Sequence, residues 1–433
     1  MQRSIIAPAE RVTNLRWGIA LLLGIGILVN YFDRVNLTVA GGALRHEFGL
    51  DDVGFGYLLS AFGWTYAIAQ IPVGLLLDRH GVVIVGRIST FCWSIFSLLT
   101  AAAGSFGMLF AARLGLGLAE TPSFPIDAKA TGCWFPTGER GVATAIFDSA
   151  AKFATGIGVP IVSLILVNFG WRATFLVTGI AGFLFFVAFF VFYRDPSGHR
   201  GLTHAEREHL KSGSAHPEGA STTGSVAGTF VYLLRQTKVW GLTIGFAAYG
   251  YSFYLLLTWL PGYLVHTFNM TVLASGAYTA IPWLVAGVAD LAVGGFLVDA
   301  LIRRGLDATR VRKSILVCGM LLGLSIFGAT TTRDPNVAII YITIALAGLA
   351  VSAPIGWSIP ALIAPQGAVG TVGSIMNFAN TVMAIAAPIV AGYVVAVTGS
   401  FTNVFLVAAA VLVIGILSYI FLLGRIEPIP EPA

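Results

Sequence analysis

The sequence predicts an all-α membrane protein with about twelve spanning helices in two bundles of six. Two features of composition indicate this class: 57% of the 433 residues are hydrophobic and only 10% are charged. A water-soluble domain has about 25% charged residues to cover its surface. Apolar stretches of about 20 residues, enough to cross about 30 Å of hydrocarbon, recur along the chain. Helices are expected because a lipid-exposed backbone must satisfy its hydrogen bonds internally.

The hydropathy pattern predicts where each spanning segment begins. The predicted segments begin near residues 17, 53, 82, 106, 142, 171, 240, 272, 314, 337, 369 and 401. The first is too long for a signal-peptide core and contains Asp33 and Arg34, so we expect a retained helix. An even number of spans places both termini on the same side of the membrane.

Lysine and arginine are distributed unevenly among the predicted loops. They concentrate at the N terminus, in the second, fourth, sixth and eighth loops, and in the tail. The alternate loops contain only Arg45, Arg172 and Arg333. Because positive loops remain in the cytoplasm, we expect a multi-pass protein of the bacterial inner membrane with both termini cytoplasmic. The net charge of +5 therefore indicates orientation, and no nucleic-acid partner is expected.

The polar region of residues 194–238 predicts a cytoplasmic linker between an N-terminal bundle, residues 1–193, and a C-terminal bundle, residues 239–433. Within this linker, Thr203 and Glu206 have the spacing of a capping box on a short helix. The two halves also resemble each other. GLLLDRHGVVIVGR and GGFLVDALIRRG occupy corresponding loops, and VPIVSLILVNFGWRATFLV resembles APIVAGYVVAVTGSFTNVFLV. Such a repeat predicts a transporter with its substrate path between the halves.

Three motifs relate the chain to a known family. The loop from Gly74 to Arg87 follows the pattern G-x-x-x-D-R-x-G and resembles the loop signature of the major facilitator superfamily. NYFDRVNLTVA, GLAETPSFPIDAKATGCWFPTGERG and FGWRATF resemble the anion:cation symporter family, which includes bacterial galactonate, glucarate, hexuronate and tartrate permeases, sialin and vesicular glutamate carriers. This resemblance covers essentially the whole chain. It implies the major facilitator fold and a carrier that works as a monomer.

Four of the charged residues predicted inside the membrane lie in the first and fourth segments. Asp33 and Arg34 lie in the middle of the first segment, and Arg113 and Glu120 lie two helical turns apart in the fourth. Because an ionisable side chain at the centre of a bilayer costs about 2.5 to 3.5 kcal/mol, each needs a partner or a function. A purely structural set of ion pairs is the alternative, but it is an expensive way to join apolar helices.

A proton:organic-anion symporter is the hypothesis that these residues favour. An incoming carboxylate takes Arg34 from its acidic partner, and that acid then binds a proton, so anion and proton binding favour each other. The family resemblance implies that Asp33 and Glu120 carry protons, that Arg34 binds the substrate carboxylate and that Arg113 links them. Protons, a small organic anion and the lipid bilayer are the expected partners, and no cofactor or metal is expected.

Further candidate substrate ligands lie in other segments. Asp148 and Lys152 are four residues apart in the fifth segment and are predicted to pair. Sugar-acid permeases of the resembling family often have a polar amide where this chain has Lys152. A cation there suits a second carboxylate or a keto acid. Tyr66 and Asn377 are the candidate hydrogen-bonding ligands, because the family resemblance implies polar ligands near them.

The repeated loops predict gating residues. Asp78, Arg79, Arg87 and Asp299 lie at the cytoplasmic ends of predicted helices, where charge pairs hold one conformation closed and break in the other. For the arginines, anchoring by the positive-inside rule is an equally good interpretation.

Two other functional classes were weighed. An anion exchanger or exporter of the same superfamily shares all these features, and a comparison of gradient-driven uptake with exchange separates it from a symporter. An intramembrane enzyme is not expected, because the sequence lacks G-x-G-D, a metal-ligand cluster and a phosphate-binding glycine loop.

Overall fold

The computed structural model describes residues 14–50, 52–213, 215, 226–270, 272–398 and 400–431, and every regular element in these ranges is helical. The α-helices are α1 (Leu15–Phe48), α2 (Asp52–Ala101), α3 (Phe106–Glu120), α4 (Ser123–Trp134), α5 (Arg140–Phe192), α6 (His204–Ser212), α7 (Val226–Leu234), α8 (Thr237–Phe268), α9 (Val272–Ala289), α10 (Val298–Arg303), α11 (Ala308–Gly323), α12 (Pro335–Ser358), α13 (Pro360–Ile363), α14 (Val369–Thr398) and α15 (Phe401–Phe421). A π-helical segment, Asp290–Leu297, joins α9 to α10, and a 3-10 segment, Leu324–Thr331, extends α11.

Two of these helices contain a pair of spans each. Gly81 in α2 and Gly170 in α5 have φ angles of 77° and 80°, which break the helices one residue before the predicted starts at 82 and 171. Glycine adopts this left-handed region without a steric penalty. Ten described stretches are long and apolar enough to cross a membrane, and one of them, 60–101, contains the Gly81 break. Since α3 and α4 form a further, interrupted span, the all-α prediction with twelve spans is confirmed.

The outer surface of the molecule is apolar, as a lipid-facing surface must be. Large hydrophobic side chains such as Leu164, Phe192 and Tyr393 are 62 to 73% exposed. Many of the polar and charged residues are instead buried inside the molecule. Packing of α2 against α14 and of α5 against α9 joins the two halves. Buried polar and charged side chains therefore lie away from lipid, within the bundles and between them.

The linker begins with a helix that is bound to the first half. The Thr203 Oγ1 accepts a hydrogen bond from the Glu206 backbone N–H and caps α6, as predicted. The Glu206 side chain is fully buried, and it lies 3.1 Å from Arg16. Arg16 also pairs with Glu139 at 2.7 Å, and Glu139 lies 3.2 Å from His209 of α6. Burial opposes ionisation of Glu139, but its bonds to Arg16 and His209 hold the pKa of this carboxyl below its ordinary value.

The boundaries of the predicted domains, 1–193, 194–238 and 239–433, stay a prediction. Residues 214 and 216–225 of the predicted linker lie outside the described residues. The described part of this region contains α6 and α7, and α6 is the short helix that the capping-box spacing predicted. Its buried ion pair with Arg16 attaches it to the first half, which the local polar composition does not reveal.

We predict that Glu206→Ala releases α6 from the first half. Removing one partner of a buried ion pair costs about 1 to 2 kcal/mol, which favours local opening about 5- to 30-fold. Tryptic cleavage after Arg207 or Lys211 in the purified protein measures this opening. Glu208→Ala, an exposed acid on the same helix, is the matched control. Equal cleavage rates in the two variants would contradict a bracing role for Glu206.

Candidate functional site

Arg34 lies at the centre of the first half, where α1 faces α2 and α3. Its Nε lies 3.5 Å from the carboxylate of Glu120, which is fully buried. Its guanidinium carbon lies 4.8 Å from the ring centroids of Tyr31 and Phe62 and 5.2 Å from that of Tyr66. Aromatic faces stabilise a cation in a site with little water. The Arg34 side chain is 18% exposed, while its Nε and Nη2 are buried and, within the described residues, have no aligned hydrogen-bond acceptor.

Asp33 and Arg113 complete this group of charges. The Asp33 carboxylate is fully buried and accepts a hydrogen bond of 2.6 Å from the Ser97 hydroxyl. Arg113 interacts electrostatically with both Asp33 and Glu120, and its guanidinium carbon lies 5.9 Å from the Phe62 ring centroid. Within the described residues, the Arg113 Nε and Nη1 have no hydrogen-bond acceptor. When all four groups are ionised, the two acids and the two cations have no net charge.

The structure thus brings the four predicted intramembrane charges together and shows their pairing. Glu120 is the acid next to Arg34, whereas the hydrogen bond to Asp33 comes from Ser97. Adjacent residues on a helix point in different directions, so Asp33 and Arg34 face different neighbours. Sequence spacing alone does not identify the partner on another helix.

A second group of charges joins the two halves. Lys152 of α5 forms an ion pair with Asp148 one turn earlier, which confirms the predicted pairing. Its Nζ also lies 2.9 Å from the carboxylate of Asp290 in the second half. The side chains of all three residues are at most 4% exposed. Sequence reasoning missed Asp290, although a single acid within the apolar stretch VAGVADLAVGG was a signal for it.

Tyr66 and Asn377 form a polar contact between the halves. The Asn377 Nδ2 donates a hydrogen bond of 3.2 Å to the Tyr66 hydroxyl. Asn380 in turn donates to the Asn377 Oδ1 at 3.4 Å. Since the Tyr66 ring also lies beside Arg34, this chain connects α14 to the first group of charges.

The halves are closed against each other at the end of the bundle that contains Arg16 and α6. Asp78 accepts hydrogen bonds from the backbone N–H groups of Gly370 and Thr371, at 3.0 and 2.7 Å, in the first turn of α14. Asp299 accepts from those of Gly141 and Val142, at 3.1 and 2.8 Å, in the first turn of α5. A carboxylate at a helix N terminus satisfies free N–H donors and interacts favourably with the helix dipole. Each half therefore caps a helix of the other.

Other contacts reinforce this closed end. Arg140 donates to the Ala361 carbonyl at 2.8 Å, and Arg312 donates to the Thr137 carbonyl at 3.0 Å. The rings of Phe124 and Trp357 stack with centroids 4.8 Å apart. Neither arginine was singled out in the sequence, because the positive-inside rule explains a basic residue in such a loop equally well.

The two arginines predicted as gating residues lie apart from these bonds. Arg79 is exposed, and Arg87 lies 4.3 Å from the Phe190 ring centroid in its own half. The cation that pairs with Asp78 is Lys129, at 2.7 Å. The loop motif therefore supplies its aspartates to the contact between the halves, and a gating role for its arginines stays a prediction.

Asp127 is another buried acid that sequence reasoning missed. It lines a small cavity between α1, α2, α4 and α5 together with Ser123 and Trp93. Within the described residues, the Asp127 Oδ2, Ser123 Oγ and Trp93 Nε1 have no hydrogen-bond partner. The described part of the chain contains no group of three or more His, Cys, Asp or Glu side chains that could hold a metal ion.

Comparisons with known proteins agree with this architecture. A transporter of Bacillus subtilis described as uncharacterized, YybO, is 41% identical over 97% of both chains. The probable galactarate/D-glucarate transporter GudP of the same organism is 34% identical over 98% of this chain and 95% of its own. The D-galactonate transporter of Escherichia coli is 31% identical over 97% of this chain and 98% of its own.

Solved structures show the same fold at low sequence identity. The proton:xylose symporter XylE superposes with a TM-score of 0.74 at 16% identity, covering 95% of this chain and 96% of its own. FucP in the outward conformation superposes with a TM-score of 0.72 at 15% identity, covering 93% of this chain and 98% of its own. The sequence profile of the Major Facilitator Superfamily matches residues 23–385. The chain belongs to the major facilitator superfamily and is a multi-pass membrane transporter rather than an enzyme.

Proposed function

We propose that this carrier imports a sugar acid or related carboxylate by proton symport through alternating access in the bacterial inner membrane. The observation that carries the proposal is the ion pair between Arg34 and the fully buried Glu120, beside Asp33 and Arg113. The relatives named as galactarate, D-glucarate and galactonate transporters support the substrate class. We expect the carrier to work as a monomer with both termini in the cytoplasm.

Coupling follows from competition for Arg34. Arginine presents a planar fork of N–H donors that matches a carboxylate, so a substrate carboxylate competes with Glu120 for this side chain. When the substrate takes Arg34, Glu120 is left as an uncompensated buried charge, which binding of a proton removes. Because linkage is reciprocal, a proton on Glu120 also favours anion binding.

Asp33 and Arg113 extend this coupling away from the substrate. Arg113 acts on both carboxylates, so protonation of one leaves it more available to the other. The Ser97 hydroxyl donates a hydrogen bond to the Asp33 carboxylate and holds it in place. In this position Asp33 can accept a transported proton. In this scheme both acids carry protons, Arg113 links them, and Tyr66, Asn377 and Lys152 complete the binding site.

Alternating access uses the helix caps of Asp78 and Asp299. The positive-inside rule places the closed end in the cytoplasm, so this conformation is closed toward the inside. Movement to the inward-open state breaks the hydrogen bonds from Asp78 to α14 and from Asp299 to α5. Rocking of two rigid bundles about a central site is the usual route for a transporter built from repeats.

We predict that Asp33→Asn abolishes accumulation driven by a proton gradient, because the amide cannot carry a proton. Uptake of radiolabelled D-glucarate and D-galactonate into proteoliposomes, with and without an inward proton gradient, measures this. Counterflow of the same anions, which needs no net proton movement, should persist. Glu47→Gln, at the partly exposed end of α1, is the matched control.

Two outcomes would overturn this assignment. Unchanged uptake with an unchanged pH profile in Asp33→Asn removes the residue from the coupling mechanism. Uptake by the unaltered carrier that ignores the gradient but requires internal anion means exchange, and the buried acids are then structural partners of Arg34 and Arg113.

We predict that the double variant Asp78→Asn, Asp299→Asn shifts the carrier toward the inward-open state. Loss of about 1 kcal/mol per cap changes the ratio of closed to open ends about fivefold for each. Spin labels on cysteines at Gly138 and Arg304, with the native cysteines replaced by serine, measure the distance between the halves there. Glu208→Gln, which converts an exposed acid at the same end of the molecule into an amide, is the control. An unchanged distance distribution would contradict the gating role.

A further inference from the structure

Lys152 has two acidic partners that belong to different halves. Asp148 lies on its own helix, one turn away, and Asp290 begins the π-helical segment of the second half. With all three groups ionised, the cluster has a net charge of −1. One carboxylate therefore exceeds what the single ammonium compensates, at a depth where an unpaired charge is costly.

The two carboxylates are held unequally. Lys152 donates a hydrogen bond to the Asp148 Oδ2. The Asp290 carboxylate lies 2.9 Å from the Lys152 Nζ, but within the described residues neither of its oxygens has an aligned hydrogen-bond donor. Asp290 is therefore the partner that a competing carboxylate displaces at the lower cost. Its place at a π-helical turn, a feature frequent at functional sites, agrees with this.

Among the residues that the structure describes, Lys152 is the cation that interacts with Asp290. Tyr249 of α8 interacts electrostatically with both Asp148 and Asp290, and the Phe253 ring centroid lies 5.6 Å from the Lys152 Nζ. Where α12 packs against the π-helical segment, at Gly294, it presents Val351 and Pro354, which do not ionise. Lys152 is thus the group that compensates Asp290, and its loss to another anion leaves Asp290 charged and alone.

Lys152 also lies within reach of the proposed anion site. Tyr31 interacts electrostatically with both Arg34 and Lys152, and its ring centroid lies 4.8 Å from the Arg34 guanidinium carbon. Both cations therefore act on the same aromatic side chain, and only Arg34 is in contact with its ring. A substrate with a carboxylate at each end has a cation available for each.

We propose that Asp290 is a further proton-coupling residue, which binds a proton when a second substrate carboxylate takes its place on Lys152. This inference rests on the proposed symport. The charge balances: one carboxylate enters the cluster, one proton from the open side neutralises Asp290, and the net charge stays at −1. A dianionic sugar acid is then carried with one more proton than a monoanionic one, whose single carboxylate occupies Arg34.

The proton:substrate ratio of the purified carrier tests this. Proteoliposomes with a fixed pH gradient are held at a series of membrane potentials, and the potential of zero net flux gives the ratio for D-glucarate and for D-galactonate. The ratio for D-glucarate is expected to be larger by one. In Asp290→Asn, the D-glucarate ratio is expected to fall by one and the D-galactonate ratio to stay unchanged.

Asp148→Asn is the matched control, since it removes one negative charge from the same lysine. In this variant Asp290 still competes with a substrate carboxylate for Lys152. We therefore expect the proton:substrate ratios of D-glucarate and D-galactonate to differ as in the unaltered carrier. A structural latch between the halves would instead make Asp290→Asn alter transport of both substrates alike, without changing either ratio.

The outcomes separate this inference from the symport itself. Equal ratios for both anions in the unaltered carrier, or no transport of D-glucarate, would overturn the role of Asp290 while leaving symport intact. A ratio of zero for both anions would refute symport, and the inference with it. If D-galactonate is not carried, the test is the D-glucarate ratio alone. A fall of one in Asp290→Asn supports the role of Asp290, and an unchanged ratio overturns it.

Discussion

The buried ion pair between Arg34 and Glu120 is the interaction on which the rest of the structure depends. Each charge is permitted within the membrane only because the other compensates it, and each side chain is therefore sensitive to any ligand that takes its partner away. Three aromatic rings lie beside the arginine and stabilise it without neutralising it. The proposed symport uses this property, because a substrate carboxylate would exchange with Glu120 for the arginine.

The same principle acts at two further places. Lys152 pairs with Asp148 of the first half and with Asp290 of the second. A change of charge at any of these three residues therefore alters an interaction between the two bundles. At the closed end, Asp78 and Asp299 place their charge on the free N–H groups of helices in the opposite half. Charge compensation between the halves thus occurs both near the centre of the molecule and at its closed end, which are the two places that the proposed alternating access must coordinate.

Much of the fold was predictable because a spanning segment is defined by the hydropathy of its own residues, and a helix break by the conformation of a single glycine. The segment starts at 82 and 171 follow Gly81 and Gly170, whose positive φ angles break two long helices. Asp33, Arg34, Arg113 and Glu120 stand out because charge within an apolar stretch is expensive wherever the helix lies. In contrast, Asp290 was overlooked, and the sequence did not identify Lys129 and α14 as the partners of Asp78.

The sequence by itself determined that this protein crosses the membrane about twelve times and that its first half contains two acids and two arginines within the bilayer. Those conclusions depend on composition and on periodicity along one helix. Only the tertiary structure decided which charges meet: Glu120 with Arg34, Ser97 with Asp33, and Asp290 with Lys152 from opposite halves. The physical reason is that ion pairs form across a few ångströms of space, whereas the partners are separated by up to 138 positions along the chain.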